Sequence, residues 1–352
     1  MSSNDSPLVC VIPGDLHLTE PGRDNHRTAL WMVEQVNRVV RPDFVQFIGD
    51  NVQDATAEQF HLFRDVHGRL QVPWFALVGD HDVCHDEDRA FREFVGTPYG
   101  VLRLRGYRFL RLNTMEHRPL GLSQPQIHWF REEVDGALAV GERVVIFQHH
   151  YPFKVYESFA GPGIEDWRAL VQTRRITAIF TGHTHYGQIA NDGRNIAITT
   201  RSIGDPEGGP AGFRIVYLHG DDLAVLYRTV DEKGPIVLIT HPRDRLLAIG
   251  PEHVVRGTDR CGVRIWTDQP LRMVRGRFDE GPWFELTQES AERWSCLLPG
   301  NQLAKGAHNF EVEAIDELGQ AGGQAIRFPV DATGRYTAVP AVHPPVAGTA
   351  FC

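Results

Sequence analysis

The sequence predicts an α/β layered domain, with central β-sheets flanked by helices, followed by a small all-β sandwich domain. Two patterns lead to this reading. From Leu8 to about Arg228, short apolar runs alternate with amphipathic stretches, as strands and helices stacked in layers require. From about Asp231 no long amphipathic stretch follows, and short alternating runs broken by Gly, Pro and Asp take over, the pattern of a sandwich.

In the first part LVCVI, FVQFI, WFALV, RVVIFQ and ITAIF are the expected strands, and residues 28–40, 57–70 and 124–139 the expected helices. RNIAITT, GFRIVYLHG and LAVLYRTV, joined by Gly, Asp and Asn turns, predict a closing β-meander. GVRIWTD, MVRGRFD, RWSCLLP and HNFEVEAID predict the sandwich, and LAKGAHNFEVEAIDELGQ resembles the immunoglobulin-like and fibronectin-like accessory modules of bacterial enzymes. The expected domains are residues 1–232, 233–333 and a Pro/Ala-rich tail, 334–352, poorly ordered or laid on a surface.

Composition narrows the function. With 352 residues, 42% hydrophobic and 23% charged, the chain has material for a sizeable core. A net charge of −9 gives no basic footprint, so no nucleic acid partner is expected. No apolar run is long enough to span a bilayer and MSSNDSPLVCVIPGD is not a secretory leader, so no membrane partner and a cytoplasmic location are expected. The five cysteines, Cys10, Cys84, Cys261, Cys296 and Cys352, are scattered without a C-x-x-C pair. Neither a disulfide framework nor a thiolate zinc site is indicated.

Each strand of the first domain ends in the same chemistry. Asp15 and His17 follow the first, Asp50 and Asn51 the second, and Asp80, His81 and Asp82 the third. His149 and His150 follow RVVIFQ, and His183 and His185 follow ITAIF. Loops at the carboxyl ends of strands in such sheets meet over one crevice. So many carboxylates and imidazoles together are unfavourable without a cation, and too numerous for one ion. Nitrogen and oxygen donors without thiolate suit Zn, Mn, Fe or Co, and paired ions about 3.5–4 Å apart suit phosphoryl hydrolysis.

The ordered set DLH, GDN, GDHD, HHYP and GHTH resembles the calcineurin-like metallophosphoesterase family, whose pattern is D-x-H, G-D, G-N-H-D/E, H and G-H-x-H. The likeness covers about residues 7–230 and implies the layered metallophosphoesterase fold. It implies two divalent metal ions: Asp15, His17 and His185 on the first, Asp50 bridging, and Asp80, His183 and a histidine of QHHYPF on the second. An H-x-P spacing favours His150 for that last position, leaving His149 to support a ligand or face substrate, although the strand end equally presents His149. Asp80 replaces the usual Asn, adding negative charge that should tighten a hard divalent ion. His81 is implied as general acid protonating the leaving oxygen while a hydroxide between the ions attacks. Asp82 is expected to accept the other His81 ring N–H, or else to be an N-cap or turn residue before EDRAFREFV. Asn51 is expected to bond a substrate oxygen or a ligand, or to serve the turn.

The implied substrate is a small phosphoester, with a diester favoured by resemblance to the cyclic-nucleotide and glycerophosphodiester branch. Arg23, His26, Lys154 and Tyr156 lie on loops that would border it. A phosphomonoesterase (nucleotidase or protein phosphatase) is the alternative of the same chemistry. A non-catalytic metal-binding scaffold recruiting a partner through the β module is the alternative of another class. That module is also a candidate lid or homo-oligomer surface.

Overall fold

The computed structural model describes residues 6–83, 88–154, 158–345 and 350–351. Cys84, Cys352, Tyr156 and most of the CHDEDR loop lie outside the described residues, as does the Lys154 side chain. The first part runs β1 (Leu8–Pro13), α1 (Asp24–Gln35), β2 (Phe44–Phe47), α2 (Ala57–His67), β3 (Trp74–Ala76), α3 (Arg89–Phe94), β4 (Gly100–Leu104), β5 (Tyr107–Arg111) and α4 (Gln124–Ala139). It continues through β6 (Arg143–Phe147), β7 (Phe153–Lys154), α5 (Ile164–Thr173), β8 (Ile176–Thr181), β9 (Ile189–Asn191), β10 (Ile196–Thr199), β11 (Gly212–His219) and β12 (Asp222–Thr229).

Local chemistry sets the helix ends. Ser123 accepts the Gln126 N–H and Pro125 sits in the first turn of α4, while Thr56 accepts the Gln59 N–H to open α2. The helix expected over 28–40 begins at Asp24, and its last turn, Val36–Val40, widens to a π-helix that stops at Arg41 (φ 46°) before Pro42.

Two sheets pack face to face. One has the order β12-β11-β1-β2-β3, with β1, β2 and β3 parallel. The other contains parallel β10, β8, β6 and β5. Period-two alternation divides β1 between two cores. Leu8, Cys10 and Ile12 meet Phe109, Phe147 and Phe180 of the facing sheet. Val9 and Val11 pack instead with Met32, Phe60 and Phe63 of the covering helices. Helices α4 and α5 cover the second sheet through Phe130 and Trp167. The carboxyl ends of both parallel sets therefore open on one edge.

The expected meander is not formed. β10 joins β8 in one sheet, whereas β11 crosses to pair antiparallel with β1 in the other, and of the three runs β11 and β12 alone pair with each other. All four residues of β10 are buried, Ile196 and Ile198 against the facing sheet and Ala197 beneath the helices that cover the second sheet.

The all-β part comprises β13 (Ile236–His241), β14 (Thr258–Trp266), β15 (Leu271–Phe278), β16 (Phe284–Glu285), β17 (Thr287–Gln288), β18 (Arg293–Pro299), β19 (Gly306–Asp316) and β20 (Ala321–Val330). They form two four-stranded sheets, β13-β14-β18-β17 and β16-β15-β19-β20, closed over Val263, Ile265, Leu298, Phe310, Val312 and Phe328. β13 serves two cores. Val237 and Ile239 face the sandwich, while Ile236 and Leu238, with Trp266, join the core beneath α1.

The tail does more than lie on the surface. β21 (Ala341–His343) pairs with β9 and extends the second sheet, and β22 (Ala350–Phe351) pairs with β7. An unpaired edge of β9 supplies the backbone partners that composition does not advertise. Among the described residues no helix is long and apolar enough to cross a membrane.

Trp266 is 1% exposed and packs into the core of the α/β part. Trp266→Ala should cost about 3–5 kcal/mol in urea unfolding, whereas Leu297→Ser, at a side chain 66% exposed, should change stability by less than about 0.5 kcal/mol.

Candidate metal centre

The loops after β1, β2, β3, β6 and β8 bring most of the predicted residues together. His17, Asp50, His183 and His185 have φ between 46° and 67°, a region L-residues avoid and hold only where the surroundings impose it. The glycines beside them are required by space. A Cβ at Gly79 would collide with the Asp50 carboxylate, and one at Gly49 with the His149 ring.

Asp50 stands at the centre. Its Oδ2 lies 3.4 Å from His149 Nε2 on one side and 3.7 Å from His17 Nε2 on the other. On the His149 side, Asp80 Oδ1 is 3.0 Å from both His149 Nε2 and His183 Nδ1. On the other, His17 Nε2 and His185 Nε2 are 3.1 Å apart. Donor atoms of Asp50, Asp80, His149 and His183 lie within 4.8 Å of one another, as do those of His17, Asp50 and His81. Asp15, fully buried, stands just outside both groups, accepting the His183 N–H with Oδ1 3.6 Å from His149 Nδ1.

The geometry reverses the preference for His150. His149 Nδ1 donates to the Ile48 carbonyl at 2.9 Å, which turns Nε2 toward Asp50 and Asp80. His150 Nδ1 bonds Thr114 Oγ1 at 2.7 Å, and its ring packs against His183. The spacing before proline could not reveal Thr114, which arrives from the loop after β5.

Asp82 lies in a turn, its own N–H bonded to the Gly79 carbonyl at 3.2 Å. Its two oxygens accept N–H groups from Asn51, Val52 and Gly79 and the Asn51 side-chain amide, at 2.8–3.1 Å. It does not touch His81, and the residue preceding α3 is Asp88. His81 Nδ1 instead meets the Gln53 carbonyl at 2.8 Å and the Gln53 amide at 3.1 Å. Asn51 is fully buried and binds Leu77 O and Asp82, so it faces the loop interior rather than substrate. Gln53, Thr114 and Asn25, which holds the His17 carbonyl, went unrecognised because their residue types carry no signal without the fold. Of the loop candidates, Arg23 is an exposed partner of Glu20, and buried His26 accepts the Gly22 N–H.

Charge explains the need for a cation. Burial raises the Asp15 carboxyl to about 6, with Asp50 adding to the shift and His149 opposing it. Burial would raise Asp80 too, but hydrogen bonds from His149 and His183 outweigh it and hold the carboxyl far below the usual range. Burial disfavours a charged His149, yet Asp50, Asp80 and Asp15 draw its pKa well above the ordinary value. A proton on His149 thus supplies positive charge that this cluster demands. His150, buried beside His149 and His183, is driven the other way. Burial and Asp50 push Asp82 up to about 8, against the N–H donors of Gly79 and Val52. Nitrogen and oxygen donors in two groups sharing a buried carboxylate fit a pair of divalent ions.

Residues 10–187, half of the chain, match the calcineurin-like phosphoesterase family. The chain belongs to that family. Calcineurin-like phosphoesterases are hydrolases that use a binuclear divalent metal centre, and the two donor groups stand where this chain would hold one. The chain is 25% identical over 162 residues to a probable glycerophosphodiester phosphodiesterase of Arcobacter nitrofigilis, covering 42% of this chain and 59% of that one. It is 24% identical over 204 residues to mouse (Mus musculus) tartrate-resistant acid phosphatase type 5, covering 46% and 61%. It is 22% identical over 205 residues to a probable cyclic nucleotide phosphodiesterase of Moraxella catarrhalis, covering 52% and 73%. It thus spans about three fifths of the length of the first two. A dimetal phosphatase structure from Danio rerio superposes with TM-score 0.56 at 13% identity, covering 63% of this chain and 96% of that one, which places the fold of the α/β part.

Two substitutions separate the adjacent histidines. His149→Ala should weaken divalent-metal affinity at least about 100-fold in a chelator-competition titration, and His150→Ala less than about 10-fold. Asp82→Ala, which strands four N–H donors, should lower unfolding free energy by at least about 3 kcal/mol in denaturant titration.

Proposed function

We propose that this calcineurin-like phosphoesterase hydrolyses a small phosphodiester. Asp15, His17, His185 and Asp50 would hold one ion, and Asp50, Asp80, His149 and His183 the other. When bound, such ions lower the pKa of water and stabilise negative charge on phosphoryl oxygens. The observation that carries the reading is Asp50, shared by both donor groups, beside an imidazole that reaches solvent.

That imidazole is His81, whose side chain is 36% exposed, with Nε2 3.8 Å from Asp80 Oδ2. His81 Nδ1–H donates to the Gln53 carbonyl, which leaves Nε2 to face the crevice. A leaving alkoxide needs a proton, and His81 Nε2 is placed to give one. The Asp50 carboxylate also accepts the His81 backbone N–H at 2.9 Å, so the acid and the shared ligand are fixed to one another. A groove of about 630 Å³ runs beside this edge, lined by Thr19, Arg23, Asn25, Asp54 and Gly204, and offers space for an ester substituent.

Two phosphodiesterases among the relatives favour a diester. The acid phosphatase among them supports a second reading, a phosphomonoesterase. Metal-depleted protein, resupplied singly with Mn, Zn, Co or Fe, should hydrolyse bis(p-nitrophenyl) phosphate faster than p-nitrophenyl phosphate, and Asp50→Ala should abolish both. Preference for the monoester would favour the phosphatase reading, and loss of neither activity in Asp50→Ala would remove the site assignment. His81→Ala should cost about 100-fold or more with an alkoxide leaving group and far less with nitrophenolate. Equal losses would deny His81 the acid's role.

A further inference from the structure

Cys261 in β14 and Cys296 in β18 are directly opposed in the antiparallel register. Both face the sandwich core. Cys261 is fully buried with Val263 and Leu298, and Cys296 borders the same cluster. The register sets their side chains next to each other on the same face of the strand pair. Opposed residues on one face of an antiparallel pair have Cβ atoms about 4.5–5.5 Å apart, and a disulfide needs about 3.5–4.5 Å. Only a small approach of the strands separates the thiols from a bond. Apolar packing accounts for Cys261 by itself, but not for a second sulfur set against it at a position that reaches the surface.

We propose that Cys261 and Cys296 form a reversible cross-strand disulfide, a redox-modification site in the all-β part that is separate from the phosphoester chemistry. The oxidant is a small disulfide such as oxidised glutathione. Cys296, the more accessible sulfur, loses its proton and attacks, one glutathione thiolate leaves, and a mixed disulfide forms. Cys261 then loses its proton and displaces the second glutathione. Two protein thiols give up two protons and two electrons, and one oxidised glutathione becomes two thiols. The neighbouring Cys296 and burial raise the Cys261 thiol pKa, and burial still acts once Cys296 carries glutathione, so the second displacement is the slow one. The bond would join β18 to β14, whose other neighbour, β13, carries Ile236 and Leu238 into the core beneath α1.

Full-length reduced protein, incubated with oxidised glutathione or with dithiothreitol, should be digested without reduction and mapped by mass spectrometry. The oxidised sample should contain a peptide linking Cys261 to Cys296, and its melting temperature should rise by about 5 °C or more. Dithiothreitol should reverse both changes, and Cys296→Ser and Cys296→Val should show neither. Recovery of both cysteines as free thiols, or of Cys296 as a lasting glutathione adduct with Cys261 unlinked, would overturn the proposal. The wild-type map alone decides this, whatever the stability of the variants.

Discussion

The Asp50 carboxylate, buried between the His17 and His149 imidazoles, is the contact on which the α/β part is organised. It asks for two sheets whose strand ends meet at one edge. The first sheet, through the loops after β1, β2 and β3, brings every carboxylate of the cluster: Asp15, Asp50 and Asp80. The second, through the loops after β6 and β8, brings His149, His183 and His185. The first sheet also brings His17, and face-to-face packing of the phenylalanine-rich inner layer sets the three carboxylates and His17 against the three imidazoles of the second. A cation completes what neither sheet balances alone.

Asp82 serves this arrangement from beneath. By gathering N–H groups of Asn51, Val52 and Gly79 it ties the loop after β2 to the loop after β3. Asp50 and Asp80 lie in those same two loops. A buried carboxylate that uses both oxygens on N–H donors is costly to disturb, which makes it a suitable anchor for Asp50, held at positive φ. Gln53, in the first of these loops, then orients His81 in the second.

Much of this was legible because it is local. Apolar runs located the strands, α4 matched its expected span of 124–139, and five motifs at strand ends located the cluster. The misreadings share a cause, since each depended on a partner distant in sequence. His150 is claimed by Thr114, the His81 ring by Gln53 instead of Asp82, and the tail by the free edge of β9. Spacing describes a residue's neighbours along the chain, and these contacts are made across it. The meander was misread for a related reason, because β10 and β11 are alike as apolar runs while their pairing partners, β8 and β1, lie in different sheets.

The most direct test of a shared Asp50 is anomalous X-ray diffraction from crystals of the protein loaded with Mn or Zn. The account predicts two peaks about 3.5–4 Å apart, one beside His17 and His185, the other beside Asp80, His149 and His183, with Asp50 between them. A single peak, or two that do not flank Asp50, would contradict it.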